Sequence, residues 1–243
     1  AGMGGSALAA DLLKAANPAL PIFIHRDYGL PPLPEHVMKN ALLIASSYSG
    51  TTEETVSALS EAIRRRMPVA VVTGGGKLLR GAKQKKIPFV ALPRDPMPPR
   101  MALGYSAKAV LALLGRQSDL TAITNLARAL KPRASERAGK ALARTLSGKI
   151  PVIYASRVNA ALAYVWKITF NETAKIPAFA NVFPEFNHNE MTGFDRNKKT
   201  KLLKDRFHVI FLHDTADGAR IEKRMRVSQA LIQKCGVPST SLR

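Results

Sequence analysis

SSYSGTTEET, residues Ser46 to Thr55, joins two stretches of opposite character. Before it, Asn40 to Ser47 (NALLIASS) is an apolar run of strand length. After it, Thr55 to Arg66 carries Val56, Leu59, Ala62 and Ile63 at helical spacing. The pattern describes a buried strand that turns into a helix through one glycine and a set of hydroxyls. The first turn of a helix offers N–H groups with no intrahelical partner and the positive end of the dipole. Ser47, Ser49, Thr51 and Thr52 add further donors, so the turn reads as a cradle for a phosphate. The plain alternative is an N-cap, Thr51 or Thr52, with Glu54 or Thr55 behind it. Five Ser and Thr residues between Ser46 and Thr52 are more than one cap uses.

Working outward, strands and helices alternate. Gly2-Met3-Gly4-Gly5-Ser6 opens into a helix, Ala7 to Ala16, and Pro21 to His25 reads as a strand. Beyond the Ser46 turn come a strand at Pro68 to Thr73 and Gly74-Gly75-Gly76-Lys77 opening a short helix. A strand at Ile87 to Leu92, a turn rich in Pro and Arg, and a helix from Met101 to Leu114 follow. Such alternation implies parallel βαβ units, and open α/β sheets bind ligands outside the carboxyl ends of their strands. Leu120 to Leu130 and Ala134 to Leu146 are helical, with no strand between them. A second α/β half follows: strand Ile150 to Ala155, helix Arg157 to Lys175, extended Ile176 to Val182 and a loop or short helix at Pro184 to Thr192. It closes with strand Arg206 to Leu212, helix Asp217 to Lys234 and strand Val237 to Leu242. The organisation expected is a first subdomain at 1–115, a helical connector at 116–148 and a second subdomain at 149–243.

At 243 residues, 46% of them hydrophobic, the chain can bury one or two large cores. No apolar run approaches the ~18 residues that span a bilayer, and no charged-then-apolar leader opens the chain, so a cytoplasmic protein with no membrane partner is expected. The single cysteine, Cys235, fits a reducing compartment. A net charge of +20 raises nucleic acid as a partner. Its clusters, however, fall at Arg64 to Arg66, Lys83 to Lys86 and Arg196 to Arg206, the first two at helix ends where cations suit the dipole. With no helix-turn-helix, zinc-finger or RNP pattern, the expectation is a basic surface that favours anionic small substrates and no nucleic-acid partner. The chain opens where a first strand is expected to precede Gly2, and truncation at the N-terminus, or at both ends, is expected.

Four further constellations bear chemistry. Gly2, Gly4 and Ala7 fit the dinucleotide fingerprint G-x-G-x-x-G/A, with Asp27 roughly 20 residues on, as a ribose-binding acid would lie. Against this stand the second, hydroxyl-rich cradle and the Pro-rich stretch Gly29 to Pro34; a simple tight turn is the third reading. Glu172 lies in WKITFNETAK, an apolar helical setting in which burial suits a carboxyl to proton transfer. On pattern alone the stronger reading is a surface pair with Lys167 or Lys175, since pairs at i, i+3 are common. His188, in PEFNHNE, is a general acid/base or a surface or N-cap residue. Glu185 and Glu190 are not at a metal-ligand spacing from it. Arg100, opening a helix just past a strand, either stabilises an oxyanion or faces solvent. His25, His36, His208 and His213 form no cluster.

Taken together, the motifs resemble the sugar isomerase (SIS) fold and, within it, the bifunctional phosphoglucose/phosphomannose isomerases. They are GMGGSALAADLL (Gly2 to Leu13), SYSGTTEET (Ser47 to Thr55), TGGG (Thr73 to Gly76), PPRMALGYS (Pro98 to Ser106), FNETAKIP (Phe170 to Pro177) and PEFNHNEMTGF (Pro184 to Phe194), in the family's order across most of the chain.

The resemblance implies an α/β protein of two SIS-type doubly wound parallel-sheet subdomains, αβα sandwiches joined by a helical connector. It also implies a homodimer, no cofactor and no metal. By resemblance, Gly5, Ser6, Ser47, Ser49, Thr51 and Thr52 hold the phosphate of a hexose 6-phosphate, Thr51 standing where many members have Asn. Arg100 matches the arginine beside the enediolate and Glu172 the base that moves a proton between C1 and C2. His188 matches the ring-opening histidine, donated across the dimer interface. The implied reaction interconverts glucose 6-phosphate and fructose 6-phosphate, with mannose 6-phosphate as a further substrate. Relatives carry a further C-terminal segment with a catalytic lysine and the residue linked to accepting mannose 6-phosphate. Two other classes compete: a non-catalytic SIS sugar-phosphate sensor, and an NAD(P)-dependent oxidoreductase using Gly2, Gly4 and Asp27.

Overall fold

The computed structural model describes residues 1–94, 97–195 and 198–243, Lys198 by its backbone alone. Part of the Pro- and Arg-rich turn before Arg100 and the start of the basic cluster at Arg196 therefore lie outside the described residues. The chain divides into two units, Ala1–Leu130 and Lys131–Arg243. The connector region 116–148 contributes one helix to each.

In the first unit, helix α1 (Gly5–Ala16) and a short α2 (Glu35–Lys39) precede strand β1 (Leu43–Ser47). Then follow α3 (Glu53–Arg64), β2 (Val69–Thr73), α4 (Gly76–Gln84), β3 (Phe89–Ala91), α5 (Leu103–Leu113) and α6 (Gln117–Ala129). The strands form a parallel sheet in the order β1-β2-β3, with Ala45 opposite Val71 and Ser47 opposite Thr73. Side chains alternate between its faces as a pleated strand requires. Ala45 and Val71 pack with Leu59 of α3 and Leu78 and Ala82 of α4. Ile44, Val72 and Val90 pack with Ala109 and Leu113 of α5. Both faces are thus covered, which is why these strands read as unbroken apolar runs.

Residues 21–25, expected as a strand, are extended but form none. Among the described residues their one backbone bond across the edge is Gly2 N–H to the His25 carbonyl (3.1 Å), too little for a ladder. Ala1 and Gly2 occupy the place beside β1: the Ala1 amino group donates to Ile44 O (2.8 Å) and Ser46 N–H to Ala1 O (2.8 Å).

The second unit runs α7 (Pro132–Thr145), β4 (Ile150–Ser156), α8 (Ala160–Thr169), β5 (Phe179–Phe183), α9 (Lys201–Lys204), β6 (Phe207–Leu212), α10 (Ala219–Lys234) and β7 (Ser239–Leu242). Its sheet is parallel in the order β5-β4-β6-β7. Val152, Tyr154, Val209 and Phe211 face Met225 and Ile232 of α10. Ile153, Ala155, Ile210 and Leu212 face Leu142 of α7, Leu146 just past its end and Ala163 of α8. Two α/β sandwiches with parallel sheets, as expected, are present.

Two differences matter for the site. The helix expected over Arg157 to Lys175 starts only at Ala160, because Asn159 is held back by the Ser156 hydroxyl (3.2 Å) and the Asp214 carboxylate (3.0 Å). It ends at Thr169 and widens into a π turn over Phe170–Ala174.

Candidate active site

The turn from β1 to α3 is folded on its own hydroxyls. Ser47 Oγ accepts from Gly50 N–H (3.1 Å) and lies 2.8 Å from Thr52 Oγ1 and 3.4 Å from Ser49 Oγ. Ser49 Oγ accepts from the Thr51 N–H (3.3 Å) and hydroxyl (3.2 Å). Thr52 stands at the N-cap of α3, yet its side chain makes no cap hydrogen bond and turns back to Ser47. The ordinary N-cap reading is therefore not what the chain adopts, and the first turn of α3 keeps its donors free of a side-chain cap. Thr55, one turn in, is fully buried, and its hydroxyl has no hydrogen-bond partner among the described residues.

Backbone packing holds this turn in place. Gly50 has φ +70°, and a Cβ there would sit 1.8 Å from the Gly75 carbonyl oxygen. Only glycine fits such a contact with a left-handed backbone, and it locks the β1 turn to the Gly74–Gly76 turn. Gly74 N–H donates to Tyr48 O (2.9 Å) and Leu78 N–H to Gly50 O (3.0 Å). On the other side, the Ser6 hydroxyl accepts from Tyr48 N–H (3.0 Å), while Ser46 Oγ donates to Ser6 O (2.9 Å). A Cβ on Gly5 would lie 2.5 Å from the Arg100 backbone nitrogen. Gly5, Ser6, Ser47, Ser49, Thr51, Thr52 and Arg100 thus gather at the carboxyl edge of the first sheet, and Arg100 is half-buried there. Arg94, unassigned from the sequence, joins them: its Nε donates to Gly74 O (2.7 Å).

Asp27, the acid of the dinucleotide reading, does not end a strand. It is exposed and accepts from its neighbour's Tyr28 N–H (2.7 Å).

Glu172 and His188 belong to the second unit. Glu172 is half-buried in the π turn after α8. Such wide turns recur at functional sites. The turn is closed by Asn171 Nδ2, which donates to Ile176 O (3.0 Å), and by Lys175 in a left-handed conformation (φ +58°). His188 ends a 3₁₀ turn, Glu185–His188, just past β5, and is exposed. Because α8 runs back from the carboxyl end of β4, Glu172 precedes β5 at the amino edge of the sheet, whereas His188 follows β5 at the carboxyl edge. The five-residue strand alone separates them by about 13 Å at ~3.3 Å per residue step. Glu185 and Glu190 do not turn to His188: Glu185 accepts from Asn189 Nδ2 (2.6 Å) and Glu190 from Tyr154 OH (2.7 Å). Among the described residues no group of three or more His, Cys, Asp or Glu could hold a metal ion.

A largely apolar cleft of about 570 Å³ lies between α1, residues 21–25 and β1 and reaches Ser6 and Ser46. A second of about 350 Å³, between α7 and α8, is lined mostly by apolar side chains.

Residues 135–243 match the family model described as the bacterial phospho-glucose isomerase C-terminal SIS domain. The crystal structure of a hypothetical protein from Thermus thermophilus superposes with a TM-score of 0.73 over 99% of this chain and 70% of that one, at 17% identity, a likeness of fold alone. The class is that of SIS-type α/β proteins. Along the sequence, the bifunctional phosphoglucose/phosphomannose isomerase of Aquifex aeolicus (strain VF5) is 34% identical over 97% of this chain and 72% of its own length. That of Thermoplasma acidophilum is 36% identical over 95% and 71%. The chain belongs to the bifunctional phosphoglucose/phosphomannose isomerase family.

Proposed function

We propose that this chain is an aldose–ketose isomerase that interconverts glucose 6-phosphate and fructose 6-phosphate, with mannose 6-phosphate as a further substrate, through a cis-enediolate. The observation that carries this reading is the self-braced hydroxyl turn before an uncapped α3, an anion seat whose Thr52 hydroxyl points inward instead of capping. The family relationship supports the chemistry.

In this scheme Ser47, Ser49, Thr51 and Thr52, with Gly5 and Ser6 beside them, hold the 6-phosphate. His188 opens the pyranose ring by moving a proton between the ring oxygen and the anomeric hydroxyl. The Glu172 carboxylate takes the proton from C2 and returns it to C1 while the hydroxyl proton passes from O2 to O1, and the Arg100 guanidinium faces the developing enediolate oxygen. The reverse transfer regenerates the aldose. No step requires a net oxidant, because the two carbons exchange oxidation states.

Glu172 and His188 lie at opposite edges of one sheet, which favours a homodimer in which His188 completes the partner's site. A cytoplasmic setting fits the single, free Cys235. Among the described residues no helix is long and apolar enough to cross a membrane.

A coupled assay with each of the three hexose 6-phosphates tests the reading. Glu172→Gln is expected to lower kcat by at least about 10²–10⁴-fold, the usual worth of a general base, while inorganic phosphate still inhibits the small residual turnover with its normal constant. Full turnover in that variant would exclude Glu172 as the base.

A further inference from the structure

Glu190, two residues beyond His188, is tied to the second sheet by side chains of two of its strands. Tyr154 on β4 and Asn181 on β5 are register partners, so their side chains stand next to each other on one face. Both point a donor at Glu190: Tyr154 OH gives a bond to Oε2 (2.7 Å), and Asn181 Nδ2 a short one to Oε1. The two donors are themselves fixed. Tyr154 is fully buried, its ring 4.2 Å from that of Phe186. Asn181 Oδ1 accepts from Val182 N–H (2.8 Å), which orients its amide. Burial, and then the bond to Glu190, push the Tyr154 phenol far above its ordinary pKa, so it remains a donor at any working pH.

The other side of the histidine is tied as well. Asn187 Nδ2 donates to Ser228 Oγ on α10 (2.8 Å), and the Phe186 ring is fully buried. The loop is thus pinned before and after His188, while the imidazole itself stays exposed.

We propose that Glu190 is the positioning residue for His188: its two carboxylate oxygens, seated on Tyr154 and Asn181, fix the loop so that the imidazole is held out rigidly at the site it serves. This rests on the ring-opening role given to His188 above. The carboxylate form fits because it accepts two hydrogen bonds; an amide would set its NH₂ against one of the two donors.

The test uses the full chain, with Glu190→Gln, Tyr154→Phe, His188→Ala and the double variant Glu190→Gln/His188→Ala. Glu190→Gln is expected to lower kcat about 10- to 100-fold, the scale of a misplacement near 1 Å, with the inhibition constant of inorganic phosphate unchanged. Tyr154→Phe, which keeps the ring packing and removes one donor, is expected to fall between it and the parent. In the His188→Ala background, Glu190→Gln is expected to cost nothing more, because it acts only through the histidine. Parental kcat in Glu190→Gln, a further loss in the double variant, or a loss of phosphate affinity matching the loss of turnover would each overturn the proposal. If His188→Ala itself keeps parental kcat, the ring-opening role falls and this inference falls with it; if only Glu190→Gln is silent, the inference alone fails.

Discussion

The turn after β1 and the turn after β6 occupy corresponding places, each at the carboxyl edge of a parallel sheet and each leading into a helix. Their chemistry is opposite. The first is built of hydroxyls and backbone N–H groups, locked by a Gly50–Gly75 contact that leaves no room for a Cβ. The second, His213 to Gly218, carries Asp214 and Asp217, and Asn159 Nδ2 donates to the first of these (3.0 Å). The Ala216 N–H and then the Asn159 amide hold the Asp214 carboxyl below its ordinary pKa, so the turn stays anionic. In the proposed function a phosphate is seated at the first rim, and the two aspartates of the second make it the poorer place for an anion. The same architecture therefore fixes where a ligand could sit, and the side chains of each turn decide whether an anion does.

The largest expected effect that tests this contrast is on stability. Gly50→Ala forces a methyl into a backbone carbonyl at positive φ and should destabilise the chain by about 3 kcal/mol or more, the upper range for overpacking. Gly218→Ala, with nothing within 4 Å of the new methyl, should shift the denaturation midpoint little. Equal shifts would mean that the two turns are equally accommodating. Next comes affinity. Ser47→Ala removes a hydroxyl from the seat and should raise KM for hexose 6-phosphate about 10- to 100-fold, the worth of one hydrogen bond to a charged group. Ser156→Ala, at the end of β4, whose hydroxyl holds the Asn159 amide that reaches the Asp214 turn, should leave KM unchanged. A rise in KM for both would dissolve the distinction between the two rims.

The smallest effect concerns acid. His208 is buried on β6, with Nε2 2.8 Å from Thr240 Oγ1, and burial, followed by the charge of Lys149, lowers its pKa. Below about pH 6.5, where an unfolded histidine gains its proton, the folded one resists it, so the unfolded state binds more protons and stability falls with pH. Glu222, whose pKa is lowered first by its bond to His213, adds a loss of the same sign at lower pH. His208→Asn should remove the part of the decline that starts near neutrality, as read by urea unfolding at a series of pH values. An unchanged profile would leave that decline to other groups.

How much of this was legible in the sequence follows from range. The β1–α3 turn was readable because strand run, hydroxyls and helix period lie within about twenty residues of one another. The alternation of strands and helices was readable for the same reason. Residues 21–25 misled because apolar character marks a strand only where a neighbour supplies a ladder, and they meet little more than the Gly2 N–H. The short α2 was hidden behind the Pro-rich stretch that precedes it. The π turn at Phe170–Ala174 was hidden because a helical apolar period runs through it unbroken. Glu190 and Arg94 escaped because each reaches its partners, Tyr154 and Asn181 or Gly74, by a side-chain bond across a turn between elements, and no residue pattern announces such a bond.

The strand that stands between Glu172 and His188 has one more consequence. Should each centre draw its carboxylate from one molecule and its imidazole from another, two dead proteins could revive each other. Equal amounts of Glu172→Gln and His188→Ala chains, unfolded and refolded together, would then regain about a quarter of parental turnover through random pairing of subunits, a recovery that neither variant reaches alone at any concentration.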